Sequence, residues 1–207
     1  MKNKLTAMET FVGAGGSYLG LKKAGFKTIY VNEIDKNFTK TLTYNNKKDL
    51  EKCIVDVKPI EEVNFQKLRY KLNIKKKKLD LIFGGPVCKG YSLAGVRDPS
   101  DIRNTLYRHQ IRMIAEFLPK ISIIENVPAM RTSLILKSGI EKEKLKEISY
   151  IWKQLDIFKG LKAKLTKKGK GFSKVELNNY NLIKSKKKKY EDFVKNNSIS
   201  VIDDISE

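Results

Sequence analysis

The chain has 207 residues, 41% of them hydrophobic, enough for one folded domain with a sizeable core and a small appendage. Two cysteines and one histidine exclude a disulfide framework and a four-thiolate metal centre, and no apolar run approaches the ~18 residues a membrane span requires. With 43 Lys plus Arg against 23 Asp plus Glu, the formal charge of +20 points to salt-sensitive contact with a polyanion such as nucleic acid, with plain solvated lysine surface as the alternative.

The first part of the chain alternates strand-like and helix-like segments. Residues 5–12 read as a short strand that ends in Gly13-Ala14-Gly15-Gly16. A helix over 17–24 follows, stopped by Gly25. Residues 28–31 form a second strand ending at Glu33, and a helix runs from 36 to 44. Ile54 and Val55 mark a third strand ending at Asp56, and 65–72 is helical. The run 79–83 is a buried fourth strand that leads into Gly84-Gly85-Pro86-Val87-Cys88. A helix over 104–118 places Leu106, Ile111, Ile114 and Leu118 on one face and ends at Pro119. Residues 121–124 are a buried fifth strand leading into Glu125. This alternation predicts a mostly parallel sheet covered on both faces.

After residue 130 the pattern changes. A helix over 142–155 turns Leu145, Ile148, Ile151, Trp152 and Leu155 inward. Residues 161–189 are rich in Lys, Gly and Asn, and 201–207 are acidic. The expected organisation is a core over 1–130 and a lysine-rich, helical, partly flexible extension over 131–207. Residues 1–4 lead directly into the first strand, so a reducing cytoplasm is the expected location.

The glycine turn between strand and helix allows close backbone approach to a ligand, or serves only strand-to-helix packing. Its spacing departs from Gly-x-Gly-x-x-Gly, which favours an adenosine cofactor without a pyrophosphate. Glu33, about 20 residues beyond the turn, can accept from ribose hydroxyls, and Asp56 from an adenine amino group. Helix capping is the competing role for either acid. Cys88, in a Gly- and Pro-rich turn beside Lys89, is the candidate nucleophile, with a small buried side chain as the alternative that suits Cys53. Glu125, after an apolar strand, is expected in apolar surroundings that favour its protonated form. Arg97 and Arg103 position phosphates or tether a loop.

These segments resemble the DNA cytosine-5 methyltransferases over roughly residues 5–130. The stretch from Glu9 to Leu21 is similar to the family's S-adenosylmethionine motif, with Phe11, Gly13, Gly15 and Gly16 as cofactor residues. Asn32-Glu33-Ile34-Asp35 resembles the ribose-binding motif and Asp56-Val57 the adenine-contacting one. Gly84 through Ser92 resembles the nucleophile loop, and Glu125-Asn126-Val127 the Glu-Asn-Val motif. Val87 and Lys89 stand where the family usually has Pro and Gln. The resemblance implies an α/β, Rossmann-like, S-adenosylmethionine-dependent methyltransferase fold with a basic helical C-terminal extension. It implies Cys88 adding to cytosine C6, Glu125 assisting at N3, and Lys89, Ser92, Arg97 and Arg103 contacting nucleic acid. No metal is needed. The family's Arg-x-Arg segment, target-recognition region and final motif are not found after Met130. A split or truncated enzyme is therefore expected, with DNA, a complementary chain and a cognate restriction endonuclease as partners. An RNA cytosine methyltransferase and a non-catalytic nucleic-acid-binding remnant are the alternatives.

Overall fold

The computed structural model describes residues 4–91 and 97–206. It divides into two compact units, Met1–Val87 with Leu106–Asn126 and Cys88–Thr105 with Val127–Glu207. Residues 88–105 thus group with the C-terminal part rather than with the strands that flank them in sequence.

The first unit is built on five parallel strands: β1 (Thr6–Thr10), β2 (Lys27–Glu33), β3 (Ile54–Val57), β4 (Leu81–Gly84) and β5 (Ile121–Ile124). Their order is β3-β2-β1-β4-β5, so the chain reverses direction across the sheet between β1 and β4. Helices α1 (Gly16–Lys23), α2 (Lys36–Asn45), α3 (Lys47–Leu50), α4 (Phe65–Lys71) and α5 (Tyr107–Phe117) complete it. Alternation along the strands divides the core. Met8, Tyr30 and Ile82 pack with Phe65, Leu68, Met113 and Phe117 of α4 and α5. Val12 and Val31 pack with Tyr18, Leu42 and Leu50 of α1 to α3. The sheet therefore lies between two helical layers, the doubly wound arrangement expected of strands joined by crossover helices.

Two expectations change here. Helix α5 begins at Tyr107, after a 3-10 turn at Ile102–Thr105, and buries Tyr107, Gln110, Met113 and Phe117. Leu118 is instead 38% exposed, because it leaves the helix in the left-handed conformation (φ 48). Strand β5 also lies at the sheet edge, with Ile121 59% and Ile123 43% exposed. Its sequence is that of an interior strand, but it has a paired neighbour on one side alone among the described residues.

In the second unit, β6 (Leu134–Leu136) pairs antiparallel with β7 (Ser198–Ser200), and α8 (Val201–Ser206) follows. Helices α6 (Lys142–Lys167) and α7 (Lys174–Asn196) form a hairpin around Ile148, Ile151, Trp152, Leu155, Ile183 and Val194. The inward positions of α6 follow the expected spacing. Helix α7 does not follow from apolar periodicity; its signal is Ser173 with Glu176. The Glu176 N–H donates to Ser173 Oγ at 3.3 Å and the Ser173 N–H to Glu176 Oε2 at 2.7 Å, a reciprocal cap. Ser173→Ala is expected to lower stability by about 1 kcal/mol in urea unfolding, with no change in the core of the first unit.

Candidate active site

The carboxyl ends of β1, β2 and β3 stand side by side, next to the point where the strand order reverses. Open α/β sheets bind ligands there. After β1 the backbone turns sharply: Phe11 (φ 56), Gly13 (φ 56) and Gly15 (φ 98) are all left-handed. A Cβ at Gly15 would stand 2.6 Å from Leu42 Cδ1, so packing against α2 also demands glycine. At Gly13 and Gly16 a Cβ would meet nothing within 4 Å, so the turn opens onto free space.

Glu33 holds this turn in place. Its Oε2 accepts from the Gly13 N–H at 2.8 Å, and its Oε1 from the N–H groups of Ile34 and Asp35, each at 2.9 Å. Two carboxylate oxygens have about four acceptor sites, so capacity remains for a ligand hydroxyl. The helix-capping role falls to Asp35, whose Oδ1 accepts from Asn37 N and Phe38 N at the start of α2. Asp56 accepts from the Tyr30 hydroxyl at 3.2 Å and lies 3.3 Å from Lys58 Nζ.

Beneath the turn, Glu9 is fully buried, with Ser17 Oγ donating to its Oε1 at 3.0 Å and its Oε2 unpartnered. Burial pushes its carboxyl up to about 7. The sequence placed this acid at the start of the S-adenosylmethionine-like stretch and gave it no role of its own. Thr10 Oγ1 and Gln110 Oε1 are likewise buried without partners, and both face Gly84.

The tips of β4 and β5 meet closely. The Glu125 N–H donates to Gly84 O at 2.9 Å, and Asn126 Nδ2 to Pro86 O at 2.8 Å. A Cβ at Gly85 would stand 3.1 Å from Glu125 Oε2, so glycine leaves room for the carboxylate. Glu125 is exposed. The apolar surroundings expected from its strand are not there, because β5 is an open edge.

In the second unit, Cys88 and Lys89 are exposed. Cys53, in contrast, is half-buried, and burial pushes its thiol up to about 12. Of the two thiols, Cys88 is the more accessible to solvent. The turn behind it is braced by Asn104. Tyr91 donates its hydroxyl to Asn104 O, and Asn104 Nδ2 donates to Asp98 O at 2.8 Å. A Cβ at Gly90 would lie 1.7 Å from Asn104 Oδ1. Arg103 forks onto Asp101, with Nη2 2.5 Å from Oδ2, so in this geometry it tethers the loop. Arg97 is exposed and left-handed (φ 50). Ser92 lies outside the described residues. No group of acids, thiols and histidine capable of holding a metal occurs among the described residues, and no helix there is long and apolar enough to cross a membrane.

The family model for C-5 cytosine-specific DNA methylase matches residues 5–155. This chain belongs to that family. Among its curated relatives, the Type II methyltransferase M.XorII of Xanthomonas oryzae pv. oryzae is 33% identical over 141 residues, 68% of this chain and 31% of the relative. M.AgeI of Thalassovita gelatinovora is 36% identical over 123 residues, 59% of this chain and 28% of the relative. M.PspPI of Psychrobacter is 37% identical over 158 residues, 69% and 35% respectively. The chain thus spans about a third of the length of these three curated methyltransferases. The matched stretch takes in the glycine turn, both strand-end acids, the Cys88 loop and Glu125, and it ends within α6.

Proposed function

We propose that this chain is the cofactor-binding and catalytic part of an enzyme that methylates C5 of cytosine in DNA through a covalent adduct on Cys88. The observation that carries the reading is the fit between the β4 and β5 tips. Gly85 makes room for the Glu125 carboxylate, Asn126 fastens Pro86, and Cys88 follows two residues later.

The residues after β1 to β3 suit S-adenosylmethionine. The left-handed glycines let the backbone approach it, Glu33 retains capacity for its ribose hydroxyls, and Asp56 can accept from its adenine amino group. Phe11 and Gly16 line the same turn. S-adenosylmethionine supplies an electrophilic methyl group to a C5 carbon made nucleophilic by thiolate addition.

The target base is turned out of the duplex. The Cys88 thiolate forms a bond to C6, and the C5–C6 π electrons shift toward C5 and the ring. Glu125 donates a proton or hydrogen bond at N3, where negative charge develops. A base such as water takes the C5 proton, and the C5–H electrons re-form the C5–C6 double bond as the C6–S bond breaks to release the Cys88 thiolate. Any proton held at N3 returns to Glu125. Lys89, Ser92, Arg97 and Arg103 are the proposed contacts to the nucleic acid, Arg103 after release from Asp101.

A complementary polypeptide carrying target recognition belongs to this proposal, with a restriction endonuclease as its cognate partner. The supporting feature is β5, an interior-type strand with two exposed isoleucines, which is an unusual liability unless another strand covers it. The occupant we infer is the region equivalent to the relatives' remaining length.

The test is covalent trapping on duplex DNA containing 5-fluorocytosine, with S-adenosylmethionine present. The chain is assayed alone and with a second chain carrying that remaining region. A stable adduct that forms with the pair and disappears with Cys88→Ser is the expected result. An adduct that survives the substitution, or forms only on structured RNA, would overturn the reading.

A further inference from the structure

A cavity of about 320 Å³ within the second unit is lined by Gly90, Arg97, Trp152, Lys187, Glu191 and Lys195, among others. Gly90 lies two residues beyond Cys88 in the same loop, whereas Lys187 and Lys195 come from α7. Helix α7 lies wholly beyond residues 5–155, the stretch that matches the family. A part of the chain outside that match therefore delivers cations to a cavity bordered by the nucleophile's loop.

The placement is built rather than incidental. Lys187, Glu191 and Lys195 recur every four residues, which sets them on successive turns of one stripe. Lys187 Nζ lies 5.4 Å from the ring centre of Trp152, a core residue, and 3.0 Å from Glu191 Oε1. The tryptophan and the carboxylate fix where that ammonium sits. Ile183 and Val194 anchor α7 in the core, and the Ser173 cap fixes its start. Three cations and one carboxylate line the cavity, so the net sign of its lining is positive. Residues 142–196 as a whole carry 17 lysines against six acids.

We propose that Lys187 and Lys195 of α7, together with Arg97, grip the phosphate backbone of duplex DNA beside the Cys88 loop. This rests on the reading of the chain as a DNA cytosine methyltransferase. It assigns to a helix outside the family match a share of the backbone contacts that hold the duplex at the catalytic loop. An acidic protein would suit the charge equally; the border with Gly90, so close to Cys88, favours the nucleic acid.

Lys187→Gln/Lys195→Gln in the full chain provides the test, with duplex-DNA affinity measured between about 50 and 200 mM salt. Each lost phosphate contact removes about 0.9 from the slope of log K against log salt, so the double variant is expected to lose about 2 and Lys195→Gln alone about 1. Lys168→Gln/Lys170→Gln, in the exposed connection between α6 and α7, removes the same charge away from the cavity and is expected to leave the slope nearly unchanged. Binding of S-adenosylmethionine stays at the wild-type value in all three variants, and the unfolding midpoint stays there in Lys195→Gln and in the control pair. An unchanged slope in Lys187→Gln/Lys195→Gln, or an equal fall in the control pair, would sink the proposal. Binding is read without methyl transfer. A slope change in a protein that never traps Cys88 would therefore uphold the phosphate contacts while removing the catalytic reading.

Discussion

Gly84→Ala is expected to cost about 4 kcal/mol in equilibrium unfolding, a large part of the stability of an ordinary domain. Gly84 ends β4, where it pairs with Thr10 on one side and Ile124 on the other. An added Cβ would lie 2.3 Å from both Thr10 Oγ1 and Gln110 Oε1, and 2.7 Å from Gln110 Cδ. The threonine is β-branched, fully buried and on a central strand, so it has little freedom to rotate away. Gln110 is fully buried too, and its Nε2 donates to Ile123 O at 2.9 Å. Moving it breaks that bond and leaves a buried amide without a partner. The cost combines overpacking with that loss. The same strand end carries the carbonyl that accepts from the Glu125 N–H. Any shift of Gly84 therefore moves the β4 and β5 tips together. Urea unfolding of Gly84→Ala against wild type checks the prediction, and a difference below about 1 kcal/mol would refute the close packing described for this position.

The second large effect is on pH dependence. Glu9 titrates at about 7 in the folded protein against an ordinary 4.5, chiefly because burial disfavours its charged form, with the Ser17 hydrogen bond working the other way. Between those values the native state keeps a proton that the unfolded chain releases. Stability contributed by this group is therefore present below pH 4.5, falls as pH rises through the window, and levels off above 7. A shift of that size corresponds to about 3 kcal/mol. His109 works in the opposite sense, since burial and Arg112 pull its pKa down and make its native form harder to charge in acid. The expected result is thus a difference between two curves. Glu9→Gln keeps an acceptor for Ser17 and has no proton to lose, so wild type minus variant should fall by about 3 kcal/mol from pH 4.5 to pH 7. Denaturant unfolding at half-unit pH steps gives both curves, and parallel curves would contradict the burial of an ionisable Glu9.

Local chemistry accounts for much of what the chain discloses unaided. The alternation of short apolar runs with amphipathic ones defined the parallel sheet, because strand and helix periodicities are local properties. Glycines directly after β1 marked a tight turn there, and in the fold Gly13 and Gly15 take positive φ. The ordered motifs from Glu9 to Val127 disclosed the family, since their residue types and spacing are written along the chain. Tertiary structure alone decided solvent exposure and close approach. Ile121 and Ile123 have interior-strand chemistry yet lie open, because exposure depends on what a strand has beside it. The same open edge leaves Glu125 exposed, while Glu9, outwardly an ordinary strand acid, is enclosed by the sheet and α1. Lys187 and Lys195 were indistinguishable from their lysine neighbours until the fold of α7 against Trp152 brought them to a cavity bordered by Gly90. Such contacts join residues about 100 positions apart, and no periodicity or local spacing encodes them.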